Sequence, residues 1–351
     1  MSYPYFKLGL RDRKGNGALY PRGSSTKAEN IKTLDHSRKK DERDPDYHPN
    51  EDLAHAVNVA LALGAPLLLT GEPGVGKTDL ARVLGEELSC PVHPFDTQST
   101  SEAKDLFYSY DSLMAFRKVD ETDHRAFINY RALGLAILEA FGRSEVNQLL
   151  HPKLHKHEGP RRSIVLIDEI DKAPRDFPND LLNQIDKLYF RIPELENRGT
   201  PIGDKGDTRI PADYRPIIVI TSNSEKTLPE AFLRRCVYFN IDFPKEKEDL
   251  ERIVVSHVDD IVQGSLLLGS AVGFFLKLRT MGNLQKKPST AELLNWIEAM
   301  IRCDGDVDRG LEEQKEFLER TLCALVKTED DRRLAKDFIK KKWLSSDPDA
   351  R

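Results

Sequence analysis

Apolar residues follow two different periods along this chain, and the alternation between them outlines a fold. Leu53, Ala56, Val57, Ala60 and Leu61 recur at helical spacing behind Pro49-Asn50-Glu51-Asp52. Asn50 is suited to cap that helix, the acids favour its positive end, and Gly64-Ala65-Pro66 stops it. Leu67-Leu68-Leu69-Thr70 then runs apolar without a break until glycines follow. A continuous run of that length suits a strand buried on both faces of a parallel sheet. Ser163 to Ile167 and Pro216 to Thr221 repeat the signal, separated by helical patterns around 132–142 and 178–189. A shorter strand, Val237 to Ile241, ends at Asp242-Phe243-Pro244. Strands alternating with helices predict an α/β domain with a parallel sheet covered by helices on both faces.

Beyond residue 244 the pattern is helical only. Leu250, Ile253, Val254, Val258 and Ile261 mark one amphipathic helix. Ser289-Thr290-Ala291-Glu292 forms a capping box leading into Leu293, Leu294, Ile297 and Ile301, and Leu311, Leu318, Leu322 and Leu325 mark another helix. The stretch Ile261 to Leu278 approaches membrane-spanning length, but Gln263, glycines, serines and Lys277 interrupt it, so it reads as a buried helix pair. The predicted layout is a polar arm over 1–45, an α/β domain over 46–243, a smaller all-α domain over 244–345 and a frayed tail over 346–351.

Composition narrows the class. With 39% hydrophobic and 32% charged residues in 351, disorder throughout is excluded. A net charge of −5 is too even for a general nucleic-acid or membrane surface. The arm is the exception, with 11 basic against 6 acidic residues, so any nucleic-acid contact belongs there, although a solvated leader is the simpler reading. Cys90, Cys236, Cys303 and Cys323 lie far apart without a CxxC pair, which points to reduced, partly buried thiols. The first residues lack the features of a secretory signal, so a cytoplasmic location is expected.

The chemistry concentrates at the strand ends. Gly71-Glu72-Pro73-Gly74-Val75-Gly76-Lys77-Thr78 matches GxxxxGK[ST], follows a buried strand and opens the helical stretch Asp79 to Leu88. Glycines let backbone N–H groups point into one concavity, and the helix N-terminus adds positive potential. Lys77 is placed to neutralise β and γ phosphate oxygens, and the Thr78 hydroxyl to ligate magnesium. Asp168-Glu169 ends the second strand, where Asp168 would hold the hydrated magnesium and Glu169 polarise an attacking water. Asn223, ending the third strand, can hydrogen-bond that water or the γ phosphate without adding charge. No NKxD motif follows, since the chain reads Asn223-Ser224-Glu225-Lys226, so ATP is preferred to GTP. Arg234 and Arg235 stand at a helix end just before a strand. A guanidinium offered to a neighbouring subunit stabilises charge on a transferring phosphoryl group, and Arg235 is the stronger candidate for that role.

Three other features bear on function. Phe107, Tyr108 and Tyr110 suit either core packing or the gripping of a client. His151, His155 and His157 are closely spaced but lack acid or thiol partners, and read as a solvated loop rather than a metal site. Between the second and third strands, 194–209 carries 3 basic and 4 acidic residues, which argues against phosphate tracking.

Taken together, GEPGVGKT, VLIDEIDKAP, ITSN and LPEAFLRRC resemble the AAA+ ATPases and, within them, the MoxR family, over roughly residues 47–300. That resemblance implies a P-loop NTPase sheet followed by an AAA+ lid, and a ring, usually hexameric, with ATP and Mg2+ bound between subunits. It implies Asn223 as sensor 1 and Arg235 acting in trans. It also implies protein remodelling alongside a von Willebrand A domain partner. The chain departs from the pattern where a lid arginine, sensor 2, is common: Thr290 stands there. Two competing functions follow from the residues themselves, a nucleic-acid translocase or motor of a restriction-like complex working through the arm, and a nucleotide-gated scaffold with negligible hydrolysis.

Overall fold

The computed structural model describes residues 51–118, 121–195, 198–199, 210, 212–224, 228–258, 260–303 and 305–340. The predicted arm, the Asn50 cap and the tail lie outside the described residues. Those described form two compact units, one of 51–71 and 76–241, the other of 72–75 and 242–340.

The first unit is built on a five-stranded sheet. Its strands are β1 (Leu67–Gly71), β2 (Val92–Asp96), β5 (Ile164–Asp168), β8 (Ile217–Thr221) and β9 (Val237–Ile241), in the spatial order β2-β5-β8-β1-β9, and every pairing is parallel. Successive side chains of a strand point to opposite faces, and the cores follow that rule. Leu67, Leu69, Ile164, Leu166 and Val219 pack on one face with α1 (Glu51–Leu63) and α2 (Lys77–Leu88). Leu68, Val165, Ile167, Ile218 and Ile220 pack on the other with α4 (Ala132–Glu139), α6 (Phe177–Lys187) and α7 (Glu230–Leu233). The predicted sheet covered by helices on both faces is the observed one.

β2 carries no strand signal in the sequence. Val-His-Pro-Phe-Asp is neither continuously apolar nor alternating, and it contains Pro94. A proline is tolerated because β2 is an edge strand bonded to β5 alone.

Between β2 and β5 the chain inserts an antiparallel hairpin, β3 (Tyr108–Tyr110) with β4 (Ile128–Tyr130), joined through the short helix α3 (Ser112–Arg117). Phe107 and Tyr108 are buried in the core, and the Tyr108 hydroxyl donates to Glu194 at 3.0 Å. Gly134 is obligatory here, because a Cβ would sit 1.9 Å from the Phe107 carbonyl oxygen. Leu113, Met114 and Phe116 on α3 are exposed, the last at 80%. Of the aromatics offered for either core packing or a client, Phe107 and Tyr108 take the core and Tyr110 is half-buried.

The three histidines are not solvated. His155 Nε2 lies 3.2 Å from the Ile128 carbonyl and His157 Nε2 3.0 Å from that of Leu138, so both rings pin the loop before β5 to backbone. No group of His, Cys, Asp and Glu suited to hold a metal occurs among the described residues.

At the edge of the sheet formed by the strand N-termini, Glu139 closes α4 and accepts hydrogen bonds from Arg161 and Ser163, with His93 Nε2 of β2 at 2.8 Å. Burial pushes the carboxyl up, but His93, Arg161 and Ser163 outweigh it and hold the group at about 2. A carboxylate with a depressed folded pKa contributes stability above its unfolded pKa and loses it as pH falls through the folded one. Glu139→Gln is therefore expected to lower the unfolding free energy measured in urea at pH 6 by up to about 3 kcal/mol. The deficit should shrink as pH falls from about 4.5 toward 2, where the native carboxyl is itself protonated.

The second unit is helical around α8 (Lys247–His257), α9 (Leu266–Thr280), α10 (Thr290–Arg302), α11 (Lys315–Leu325) and α12 (Glu329–Phe338). The apolar stretch read as a helix pair is a turn followed by the single helix α9, because Ser265 caps it through Leu268 N at 3.2 Å. Trp296 is wholly buried against Phe274 and donates to Thr321 Oγ1 at 3.0 Å. The Ser289–Glu292 capping box forms as predicted. Asp331, also wholly buried, accepts from the backbone of Gln285 and Lys286, tying α12 to the loop before α10. Cys303 and Cys323 are exposed rather than partly buried. Among the described residues no helix is long and apolar enough to cross a membrane.

Candidate nucleotide site

Because every strand of the sheet is parallel, the C-terminal ends of β1, β5 and β8 open on the same edge, where ligands of such sheets gather. The chain leaves β1 at Gly71 and enters α2 at Lys77. Gly76 caps that helix with φ 87°, a left-handed conformation that only glycine adopts without strain. Val75 is half-buried, while Glu72, Pro73, Thr78 and Asp79 are exposed. Gly74 also has positive φ.

Lys77 is only 6% exposed, an unusual state for an ammonium group. Its Nζ donates to the Gly71 carbonyl at 2.8 Å and to Asn223 Oδ1 at 3.0 Å. Thr78 Oγ1 donates to Asp168 Oδ1 at 3.0 Å, joining the start of α2 to the end of β5. Asn223 Nδ2 donates to Glu169 Oε1 at 3.2 Å. Six of the predicted residues, Gly71, Lys77, Thr78, Asp168, Glu169 and Asn223, thus share one hydrogen-bonded network drawn from three strand ends and one helix start.

Thr221, which the sequence reading passed over as a strand residue, links both acids. Its hydroxyl accepts from Glu169 N at 2.8 Å and donates to Asp168 Oδ1, so donor and acceptor capacity are both used. Glu169 itself has φ 52° and ψ 52°. Non-glycine residues in that region cost about 1–3 kcal/mol and persist only where surroundings enforce them. The enforcing contacts are the Thr221 hydroxyl and the short turn of Ile170–Lys172, whose Lys172 also donates to the Glu169 carboxylate. That Lys172 bond holds the Glu169 carboxyl below its usual range, against a contrary push from burial and with help from Asn223 and Lys77.

Arg234 and Arg235 are placed elsewhere. Each has a carboxylate of its own chain, Glu230 for Arg234 through the helix spacing, and Asp186 for Arg235 at 3.3 Å. Both arginines are exposed, and exposed pairs contribute about 0–1 kcal/mol, so neither is locked.

In the second unit Thr290 opens α10, 3% exposed, with no hydrogen-bond partner for its hydroxyl among the described residues. A cation that the sequence reading did not single out lies in the same unit. Arg279 bonds Glu72 at 2.7 Å and stacks 3.6 Å from the Phe243 ring centroid.

Thr78 and Asp168 suit a magnesium ion, which takes one or two protein oxygens and completes its shell with waters and phosphates. Loop, buried lysine and paired acids at the strand ends define a P-loop nucleotide-binding fold. Residues 66–236, just under half of the chain, match the family model "AAA domain (dynein-related subfamily)". No curated protein sequence matches. Among solved structures, a point mutant of RuvB from Thermotoga maritima is similar at 17% identity, covering 82% of this chain and 74% of that one, with a TM-score of 0.45. The T. maritima RuvB Holliday junction branch migration motor is similar at 14% identity and TM-score 0.41, with coverage of 82% and 74%. A chain from a study of katanin self-assembly is similar at 14% identity and TM-score 0.40, with coverage of 84% and 88%.

Proposed function

We propose that this chain is an ATPase subunit of a ring-forming assembly, MoxR-like in kind, that uses hydrolysis to remodel a partner protein. The observation that carries the reading is the closed network Lys77–Asn223–Glu169 beside Thr78–Asp168, which gathers a phosphate cation, a magnesium-ligand pair and a base on one sheet edge. A match to an AAA domain over that span supports it, since such domains in general hydrolyse ATP.

In this reading the backbone of Gly71 to Gly76 cradles the phosphates and Lys77 exchanges its Gly71 and Asn223 partners for phosphate oxygens. Thr78 and Asp168 hold Mg2+, which when bound neutralises charge on the phosphates. Glu169 takes a proton from the attacking water, and Asn223 orients that water. Arg235 serves a neighbouring subunit, in a hexamer, and the partner is a von Willebrand A domain protein. The alternative is a nucleic-acid motor that works through the basic arm.

Steady-state ATP turnover by the purified chain, with sedimentation in ATP and magnesium, tests the reading. Turnover with assembly into a closed oligomer is expected, and no turnover in any assembled state overturns it. Salt-dependent stimulation of that turnover by DNA or RNA would favour the motor instead.

A further inference from the structure

Both oxygens of the Glu169 carboxylate are held by this chain's own donors. Oε1 accepts from Asn223 Nδ2 and Oε2 accepts from Lys172 Nζ. Lys172 reaches back because Ile170–Lys172 wind one tight turn, with Lys172 N donating to Glu169 O at 2.9 Å and Ala173 N to Ile170 O at 3.2 Å. Ile170 is 1% exposed, so the turn is anchored in the core rather than free to swing. The same turn steadies the other donor, since Asp171 Oδ1 accepts from the Asn223 backbone N–H at 3.0 Å. One three-residue turn therefore sets both groups that grip the carboxylate.

We infer that Lys172 is a positioning residue for hydrolysis: together with Asn223 it fixes the plane of the Glu169 carboxylate so that an unused lone pair faces the attacking water. The inference rests on the reading of Glu169 as the base. A glutamate side chain bonded through one oxygen still rotates about that bond, whereas a donor on each oxygen removes the rotation. Each carboxylate oxygen has two acceptor sites, so one bond apiece leaves a lone pair open. A loosened base loses rate rather than nucleotide affinity, because correct orientation matters at the moment of reaction. The Lys172 and Glu169 side chains are 54% and 38% exposed, which limits the strength of the pair. The expected effect is about fivefold, the upper end of what so exposed a pair contributes.

The test compares full-length Lys172→Met, Lys172→Arg and Glu169→Gln, reading kcat and KM for ATP, with thermal melting to confirm folding. Lys172→Met is expected to lower kcat about fivefold with KM changed less than about twofold, and Lys172→Arg to restore most of the loss. In a Glu169→Gln background, Lys172→Met should produce no further drop in kcat, since the two act as one unit. An unchanged kcat in Lys172→Met overturns the inference, as does a rise, which would make the contact a brake. A fall in kcat that Lys172→Arg does not relieve overturns it too. If Glu169→Gln keeps full turnover, the reading of Glu169 as base fails first. If Glu169→Gln is inactive and Lys172→Met matches wild type, only the positioning role fails.

Discussion

Glu169→Gln is expected to reduce ATP turnover by about 10²–10⁴ while ATP binding and assembly persist, the range assigned to a positioned general base. The substitution changes the chemistry at constant shape. Glutamine keeps the side-chain length and one acceptor oxygen, but it is no longer a carboxylate that can take a proton from water. It also presents an N–H where an acceptor stood, so one of the two donors that meet Glu169, Asn223 or Lys172, loses its partner. Both contacts lie in a half-exposed site, and water can replace the lost one, so the melting temperature should move little. Lys77, Thr78 and Asp168 are untouched, and these carry nucleotide and magnesium binding in the proposed mechanism. A coupled phosphate-release assay beside equilibrium binding of a fluorescent ATP analogue separates the two effects. Turnover within about threefold of wild type would remove Glu169 from the chemistry, because so small a change corresponds to about 0.7 kcal/mol of barrier.

Arg235→Ala should reduce turnover of the assembled oligomer by about 10³ or more, the scale on which arginine fingers act. A thousandfold corresponds to about 4 kcal/mol of transition-state stabilisation. The competing structural role is far smaller. In its own chain Arg235 meets Asp186 at 3.3 Å with both side chains about half exposed, an arrangement worth about 0–1 kcal/mol. Loss of that pair leaves folding nearly unchanged, and the arginine can leave Asp186 for a phosphate at low cost. Arg234, paired with Glu230 one helical turn away, should give a much smaller effect when replaced by alanine. The decisive measurement mixes subunits. Arg235→Ala combined with Lys77→Ala should recover part of the activity, because some interfaces then join an intact loop to an intact arginine. Two folded, co-assembling variants that recover nothing would place Arg235 in cis.

Most of the site could be read from residue order, for a local reason. The loop from Gly71 to Thr78 is a contiguous segment whose glycines, lysine and threonine each have one job at fixed spacing, so its chemistry is written locally. Asp168 and Asn223 are legible as candidates because each follows a continuous apolar run, and buried parallel strands end where ligands bind. Thr221 and Lys172 carried no such signal. Thr221 matters because β5 and β8 are neighbours, which brings its hydroxyl to the backbone N–H of Glu169 across 52 residues of chain. Lys172 matters because the chain after β5 turns back on itself instead of continuing outward. The His151, His155 and His157 loop was read as solvated because polar composition alone does not reveal that an imidazole can cap buried carbonyls.

By itself, then, the sequence determined the fold class and the positions of the proposed phosphate loop and of the acids at the strand ends. Hydrophobic periodicity reports which faces must be buried, and the loop's functional spacing is carried within eight residues. Only the tertiary structure decided the sheet order β2-β5-β8-β1-β9, the edge position that admits Pro94, and the pairing of Arg235 with Asp186. It alone showed the two-handed hold on Glu169. Those features depend on which distant segments become neighbours, and hydrogen bonds with a reach of about 3 Å are specified by that proximity, not by residue type.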